Sequence, residues 1–350
     1  MARVRAVAAR AVLLLALVLL AGCGNLGPND KPAPRPIPTP TAKANTRPGG
    51  SGVVGLYVQP DDGRGPILDE INRARRSITL EVYLLSDEAT IAALEQARRR
   101  GVSVRVILEQ EPFGGAGNQP EVFDRLGRAG IDVRWDNPAF RYTHIKTFVI
   151  DGRTALVMNQ NLTYSSFTGN REFDVVTTWP DQVAQAAAIF EADWNRSAEP
   201  PDGPLVVSPT TSRQELLGLI GSARRTLDVY AEVVRDREVM DAFEAAVRRG
   251  VTVRLVMSGS PEGTDDDAEE RAELERAGVQ VRLARGGLYI HAKMMLVDGV
   301  RAFVGSQNFT ATSLDQNREL GIVLRDRASL LRLAKTFATD FAEGTVEGGR

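Results

Sequence analysis

One set of residues with the same spacing occurs twice in this chain, at a constant separation of 147 positions, and it constrains the fold more than any other feature. The first copy contains Tyr142, His144, Lys146, Asp151, Gly152 and Asn161, and the second contains Tyr289, His291, Lys293, Asp298, Gly299 and Asn308. The triplet Asn170-Arg171-Glu172 returns as Asn317-Arg318-Glu319 at the same separation. The chain is therefore interpreted as a tandem duplication, whose two halves share one fold.

The residue types in the repeat are rare elsewhere in the chain. His144 and His291 are the only 2 histidines, and two of the few lysines, Lys146 and Lys293, follow them at a spacing of two. Arginine supplies most of the other positive charge. A compact ammonium beside an imidazole suits a tight phosphate pocket, whereas arginine serves an exposed face equally well. The pattern predicts two halves of one anion-binding site.

Alternating strand and helix patterns predict an α/β fold in each half. Ile78–Leu85 and Val102–Leu108 are predicted strands, and the helix between them is capped by Asp87 and stopped by Gly101. Such a βαβ unit requires parallel strands. We expect two duplicated α/β sandwich halves with mixed sheets, over residues 53–200 and 201–350. The joint is expected at Glu199–Gly203, which contains two prolines and a glycine.

The repeated residues resemble the signature of the phospholipase D superfamily, HxKxxxxDxxxxxxGSxN. The second copy matches it in full, at His291, Lys293, Asp298, Gly305, Ser306 and Asn308. The first copy departs from it, because Met158 and Asn159 stand where the family has Gly and Ser. The resemblance implies that the halves pack about a pseudo-twofold axis and share one active site in a monomer. We expect the departure to reshape one side of the phosphate pocket.

By this resemblance, His144 attacks phosphorus, and His291 protonates the leaving oxygen and then activates the incoming hydroxyl. Glu172 and Glu319 are candidates to accept a hydrogen bond from the far imidazole nitrogens, and Asp151 and Asp298 are read as supports or turn formers. The residues expected to hold the phosphate oxygens are Lys146, Asn159, Asn161, Lys293, Ser306 and Asn308. No metal and no cofactor is expected, since both histidines belong to the motif.

The first 52 residues differ in composition from the rest. Arg3, Arg5 and Arg10 precede the apolar run Ala11–Ala21, which has the length of a signal peptide over residues 1–22. The run ends in Leu20-Ala21-Gly22-Cys23, which resembles the bacterial lipobox, and Cys23 is the only cysteine. Residues 23–52 are rich in Pro and Gly and predict an extended tether. We expect a lipid anchor at Cys23, on the outer side of a bacterial cell membrane.

Charge and anchoring rank the possible substrates. The chain has 43 Lys and Arg against 45 Asp and Glu, and three of the arginines lie in the expected signal peptide. A dedicated nucleic-acid surface normally carries a basic excess, so nuclease activity is disfavoured. We expect a phosphodiesterase with a phosphohistidine intermediate that hydrolyses phospholipids to phosphatidic acid. The alternatives are a cardiolipin-synthase-type phosphatidyl transferase, a nuclease and a non-catalytic binding protein.

Overall fold

The computed structural model describes residues 54–115, 117–198, 202–259 and 265–346. The expected signal peptide, Cys23, the tether and most of the expected joint lie outside these ranges, so those expectations stay predictions. Within the described ranges, no helix combines the length and the apolar character that a bilayer span requires.

The described part of the first half forms strands β1 to β7 and helices α1 to α5. The strands are β1 (Val54–Gln59), β2 (Ser77–Val82), β3 (Ser103–Leu108), β4 (Asp132–Trp135), β5 (Lys146–Ile150), β6 (Thr154–Met158) and β7 (Asn170–Thr177). The helices are α1 (Gly65–Arg73), α2 (Glu88–Arg99), α3 (Gln119–Arg128), α4 (Tyr164–Thr168) and α5 (Pro180–Asn195).

The described part of the second half repeats this order with one additional short strand, β12. Its strands are β8 (Leu205–Ser208), β9 (Thr226–Tyr230), β10 (Thr252–Met257), β11 (Gln280–Leu283), β12 (Tyr289–Ile290), β13 (Met294–Val297), β14 (Arg301–Gly305) and β15 (Glu319–Leu324). Its helices are α6 (Ser212–Ser222), α7 (Arg237–Arg248), α8 (Ala268–Arg276), α9 (Ala311–Asp315) and α10 (Arg327–Glu343).

Local signals in the sequence explain where the repeated helices begin and end. Asp87 caps α2 by accepting a hydrogen bond from the Thr90 amide, and Asp236 caps α7 in the same way. A carboxylate at this position satisfies an amide that has no partner inside the helix. Gly101 follows α2 with a φ of 88°, a left-handed conformation that glycine adopts without strain. The predicted cap and stop of α2 are confirmed.

The two sheets have the same strand order. The first runs β1-β7-β6-β5-β2-β3-β4 and the second runs β8-β15-β14-β13-β9-β10-β11. Strands β2, β3 and β4 are mutually parallel, as are β9, β10 and β11, and the remaining neighbours within each order are antiparallel. The predicted duplicated α/β halves with mixed sheets are confirmed. Strands β1 and β8 were not predicted.

Each sheet buries both of its faces. Side chains such as Leu94 and Phe148 form an outer core in the first half, and Phe243 and Phe303 form its counterpart in the second. A third core lies between the sheets and contains residues of both halves, including α5 and α10. Because the side chains of this shared core are largely apolar and buried, the halves gain much of their stability from each other.

Reciprocal polar contacts also join the halves. Strand β12 pairs in parallel with β7, and the equivalent residue of the first half, Thr143, forms a parallel bridge with Arg318. Arg171 donates to Asp340 at 2.7 Å, and Arg318 donates to Asp193 at 2.8 Å, so each α5 or α10 carboxylate holds an arginine of the opposite half. All four side chains are buried. A twofold axis produces reciprocal contacts of this kind, in which each half contributes the same two residues to two equivalent pairs.

Candidate active site

The histidine–lysine pairs lie where a strand of each half begins. Lys146 is the first residue of β5, and Lys293 immediately precedes β13. The sequence pattern predicted that each histidine lies at the start of an apolar strand. In the structure His144 precedes β5 and His291 precedes β13, so neither histidine is part of the strand. Each lysine turns back toward its histidine, because its Nζ donates to that histidine's carbonyl oxygen, at 2.7 Å in the first half and 2.6 Å in the second.

Each imidazole is held by a glutamate of the opposite half. His144 Nδ1 lies 2.9 Å from Glu319 Oε2, and His291 Nδ1 lies 2.8 Å from Glu172 Oε2. An ionised carboxylate accepts a hydrogen bond from an Nδ1 that carries a proton. Nε2 of each ring is therefore the atom available for chemistry. The two expected glutamates therefore reach the imidazoles, and the crossed pairing brings both histidine–lysine pairs to the boundary between the halves.

The glutamates are themselves fixed. Glu319 Oε1 accepts hydrogen bonds from the Ser313 hydroxyl and, at 3.0 Å, from the Asn317 amide. Burial by itself raises the pKa of Glu319, but its interaction and hydrogen bond with His144, the nearby Lys146 and the hydrogen bond from Asn317 outweigh burial and lower that pKa. The carboxylate therefore stays ionised beside His144.

The first half surrounds its histidine with an apolar and aromatic wall. The ring of Tyr83 meets the His144 ring edge-on, with 4.7 Å between the centroids, and Lys146 Nζ lies 5.2 Å from the Tyr83 centroid. Burial lowers the pKa of His144 to about 4, against the opposing effect of Glu319. Burial also holds the pKa of Lys146 well below its usual range. His144 is therefore neutral near pH 7, with Nε2 carrying a lone pair.

The second half places a third carboxylate in the site. Glu232 Oε2 lies 2.6 Å from Lys293 Nζ and 3.7 Å from His291 Nε2. Its other oxygen accepts a hydrogen bond from the Tyr289 hydroxyl at 3.1 Å. Tyr289 is 44% exposed, so this side of the site opens to solvent. The second histidine therefore has a carboxylate near each ring nitrogen.

Two of the expected phosphate ligands, Asn159 and Ser306, form hydrogen bonds with backbone. Ser306 Oγ accepts from the Leu320 amide at 3.1 Å, and Asn159 Oδ1 accepts from the equivalent Phe173 amide at 3.0 Å. Asn159 Nδ2 also donates across the boundary to the carbonyl of Gly305 and, at 3.3 Å, to that of Lys293. Both side chains are fully buried. These hydrogen bonds tie both side chains to the backbone, and their role in binding phosphate stays a prediction.

The first copy departs from the signature at a position that is buried in the structure. Met158 is fully buried in the outer core of the first half. At the matching position, a Cβ on Gly305 would lie 2.7 Å from Gly321 Cα, a backbone clash that only glycine avoids. In the first half Asp174 takes the place of Gly321 and pairs with Met158. The effect of this departure on the phosphate pocket stays a prediction.

Asp151 and Asp298 lie at the far ends of their strands. Asp151 is five positions beyond Lys146 along β5, a distance of about 16 Å at about 3.3 Å per residue. Asp151 accepts hydrogen bonds from the amides of residues 75–77, and Asp298 accepts from those of residues 224–226. Of the two roles expected from the sequence, the structure supports turn formation.

Asn161 and Asn308 follow β6 and β14. The side-chain oxygen of each is buried without a hydrogen-bond partner among the described residues. A buried amide left in this state is ready to bind a ligand group. Their role in holding the phosphate stays a prediction.

Sequence reasoning missed Tyr83 and Glu232, which complete the walls of the site. Both lie just beyond the carboxyl end of a parallel strand, where functional side chains of α/β folds collect. Their position near the carboxyl end of a predicted strand was the signal in the sequence that could have identified them. Among the described residues, no group of three or more His, Cys, Asp or Glu side chains could hold a metal ion.

The fold has two similar halves, and each half contributes one histidine–lysine pair to a shared site. These features define the class of this protein as the phospholipase D superfamily. The family model described as "Cardiolipin synthase, PLD-like domain" matches residues 67–194 and 216–343. The chain belongs to this family.

The chain is similar to cardiolipin synthase 2 of Bacillus cereus, with 24% identity over 327 residues that cover 80% of this chain and 62% of that protein. Among solved structures it resembles a phosphatidylserine synthase of Haemophilus influenzae, with a TM-score of 0.65, 14% identity, and 84% and 87% of the two chains covered. A polyphosphate kinase of Porphyromonas gingivalis has the same TM-score, 16% identity, and coverage of 81% and 46%. At these identities the structures show the fold alone.

Proposed function

We propose that this protein is a phosphatidyl transferase that moves a phosphatidyl group from a phospholipid to an alcohol through a phosphohistidine. The observation that carries the proposal is the crossed pair of histidine–glutamate hydrogen bonds, which orients two imidazoles in a shared site. The expected main activity was hydrolysis to phosphatidic acid. The family description and the named synthases favour transfer instead.

The environments of the two histidines support opposite roles. His144 is neutral near pH 7, because burial lowers its pKa to about 4, and its free Nε2 has the lone pair that attacks phosphorus. His291 has a carboxylate near each ring nitrogen, Glu172 at Nδ1 and Glu232 at 3.7 Å from Nε2, and this second carboxylate is one that His144 lacks among the described residues. His291 therefore protonates the leaving oxygen and then takes the proton of the incoming alcohol.

The remaining residues hold the reacting phosphate. Lys146 would donate to the phosphate, since among the described residues its Nζ donates only to the carbonyl of His144 and its other protons remain available. Asn161 and Asn308 would contribute amide groups from β6 and β14. Fixed donors of this kind stabilise the charge that develops on the non-bridging oxygens in the transition state. Cys23 would keep the site close to its lipid substrate.

The product distinguishes transfer from hydrolysis. Wild type and His144→Ala are incubated with vesicles of phosphatidylglycerol alone, in the presence of a chelator, and the lipids are separated. We expect wild type to form cardiolipin with release of glycerol, and the variant to form none. A parallel sample with a primary alcohol should yield the phosphatidyl-alcohol.

Accumulation of phosphatidic acid without cardiolipin or phosphatidyl-alcohol would establish hydrolysis instead. Degradation of DNA or RNA in the same buffer, absent from His144→Ala, would identify a nuclease. Unchanged lipids and nucleic acids would leave a binding role.

A further inference from the structure

The two walls of the site carry different residues at one equivalent position. Asp151 and Asp298 bind the amides of Ser77 and Thr226, which fixes the register of β2 against that of β9. Six residues further along each strand stand Tyr83 and Glu232. The first half therefore presents a neutral phenol where the second presents a carboxylate.

Glu232 is an anion in contact with the cations of the site. Burial by itself raises the pKa of Glu232, but the charges of His291 and Lys293 outweigh burial and hold that pKa well below its usual range. Its oxygens contact Lys293, His291 and the Tyr289 hydroxyl. Its negative charge therefore offsets the positive charge of Lys293 and leaves the second wall less attractive to an anion than the first.

The opposite wall has no such charge. The Tyr83 hydroxyl accepts a hydrogen bond from the Phe113 amide at 2.6 Å. Among the described residues, Lys146 has no carboxylate at ion-pair distance. A phosphate in the pocket is therefore attracted to Lys146 and faces Glu232 on its other side. A phosphodiester has one negative charge, whereas a phosphomonoester above its second pKa of about 6 has two.

We propose that Glu232 selects the charge of the ligand, so that the pocket accepts a monoanionic phosphodiester and rejects a dianionic phosphomonoester. The inference deepens the proposed function and rests on it. Phosphatidic acid is such a monoester, so the product of accidental hydrolysis would not return to the pocket and block transfer. Tyr83 plays no part in this selection because it is uncharged.

Binding of a matched pair of small ligands tests the proposal without turnover. Ethyl phosphate and diethyl phosphate are titrated by calorimetry at pH 8 into the full-length protein and into Glu232→Gln. Two unit charges about 5 Å apart, at an effective dielectric constant of about 20, change an affinity by well over tenfold. We expect Glu232→Gln to bind ethyl phosphate at least about tenfold more tightly, and diethyl phosphate by a clearly smaller factor.

Two further variants serve as controls. Glu121→Gln makes the same chemical change at an exposed position on α3 and should bind both ligands as wild type does. Glu232→Tyr installs the residue that the first half uses and should also strengthen ethyl phosphate binding. Thermal unfolding of each variant confirms that it is folded.

The outcomes separate this inference from the proposed function. Equal affinities of wild type and Glu232→Gln for ethyl phosphate would overturn charge selection, and so would an equal gain for both ligands, which indicates a steric effect. Loss of all binding in Glu232→Gln alone would also overturn charge selection. If neither wild type nor Glu232→Gln binds either ligand, the phosphate pocket itself is absent, and the proposed function falls with the inference.

Discussion

The two halves share one strand order, one pattern of reciprocal contacts and one pair of catalytic candidates, yet the surroundings of those candidates differ. His144 lies against the ring of Tyr83, and His291 lies 3.7 Å from Glu232. In the proposed mechanism two identical imidazoles act as nucleophile and acid, and symmetric surroundings would give both the same protonation state. The comparison shows that residues outside the repeated motif make the surroundings of the two histidines unequal, as that mechanism requires.

The largest expected difference separates the two histidine variants. His144→Ala removes the nucleophile, so turnover of every diester should fall by at least about 10⁴-fold. His291→Ala should still release one equivalent of p-nitrophenol from a bis(p-nitrophenyl) phosphate, because that leaving group needs no proton. Burst kinetics and detection of the phosphorylated protein measure both effects. A burst from His144→Ala and none from His291→Ala would reverse the assigned roles.

The crossed glutamates should divide the reaction in the same way. Glu319→Gln disturbs His144, so the burst itself should slow by about 100-fold or more. Glu172→Gln disturbs His291, so the burst should remain and breakdown of the adduct should slow by a similar factor. Rapid-quench measurements resolve the two steps. Slowing of the same step by both variants would contradict the crossed assignment.

The buried ion pairs between halves predict a matched loss of stability. Arg171→Ala removes the arginine from the ion pair with Asp340, and Arg318→Ala removes it from the ion pair with Asp193, each at a cost of about 3–5 kcal/mol in the free energy of unfolding. Arg73→Ala is the control, because this arginine is 65% exposed and its pairing with Glu70 should contribute less than about 1 kcal/mol. Denaturant unfolding measures all three. Losses as small as the control would show that the pairs do not hold the halves together.

The environment of His144 predicts an unusual pH dependence. Burial lowers the pKa of His144 to about 4, so the nucleophile loses its lone pair only as the pH falls through that value. At pH 5 about nine-tenths of the maximal burst rate should remain, whereas a histidine with an ordinary pKa of about 6.5 would retain about 3%. Burst rates between pH 3.5 and 8 test this. A midpoint near 6.5 would indicate a solvated His144.

The smallest and most symmetric effects concern the aspartates at the far ends of β5 and β13. Asp151→Ala and Asp298→Ala each release three backbone amides and should lower the free energy of unfolding by about 1–2 kcal/mol. Activity per folded molecule should change by less than about twofold. Calorimetry and steady-state kinetics give the two numbers. A large loss of kcat in either variant would restore a catalytic role to that aspartate.

The sequence predicted the architecture better than the details of the site. A register kept over 147 positions was enough to predict two mixed sheets and the residues His144, Lys146, His291 and Lys293. It could not assign the glutamates, because two identical copies allow each histidine a partner in its own half or in the other. The strands β1 and β8 were missed because short apolar runs before a helix carry no periodicity that identifies them.

Other details of the site depend on the neighbours of each side chain. Asn159 was predicted to bind phosphate because it stands in a catalytic signature, but the sequence could not show that its amide also donates to two backbone carbonyls of the opposite half. Tyr83 and Glu232 were overlooked because they lie outside the repeat. Their significance depends on the register of β2 and β9, which only the fold defines.

The hydrogen bond between His144 and Glu319 joins residues 175 positions apart in the chain. During synthesis, the first histidine is therefore made long before the carboxylate that orients it, and it stays idle until the second half has folded against the first. A fragment containing either half alone would have an imidazole with no counterpart. It could recover one only by pairing with a second copy of itself, which is the kind of homodimer from which a duplicated gene of this form could have arisen.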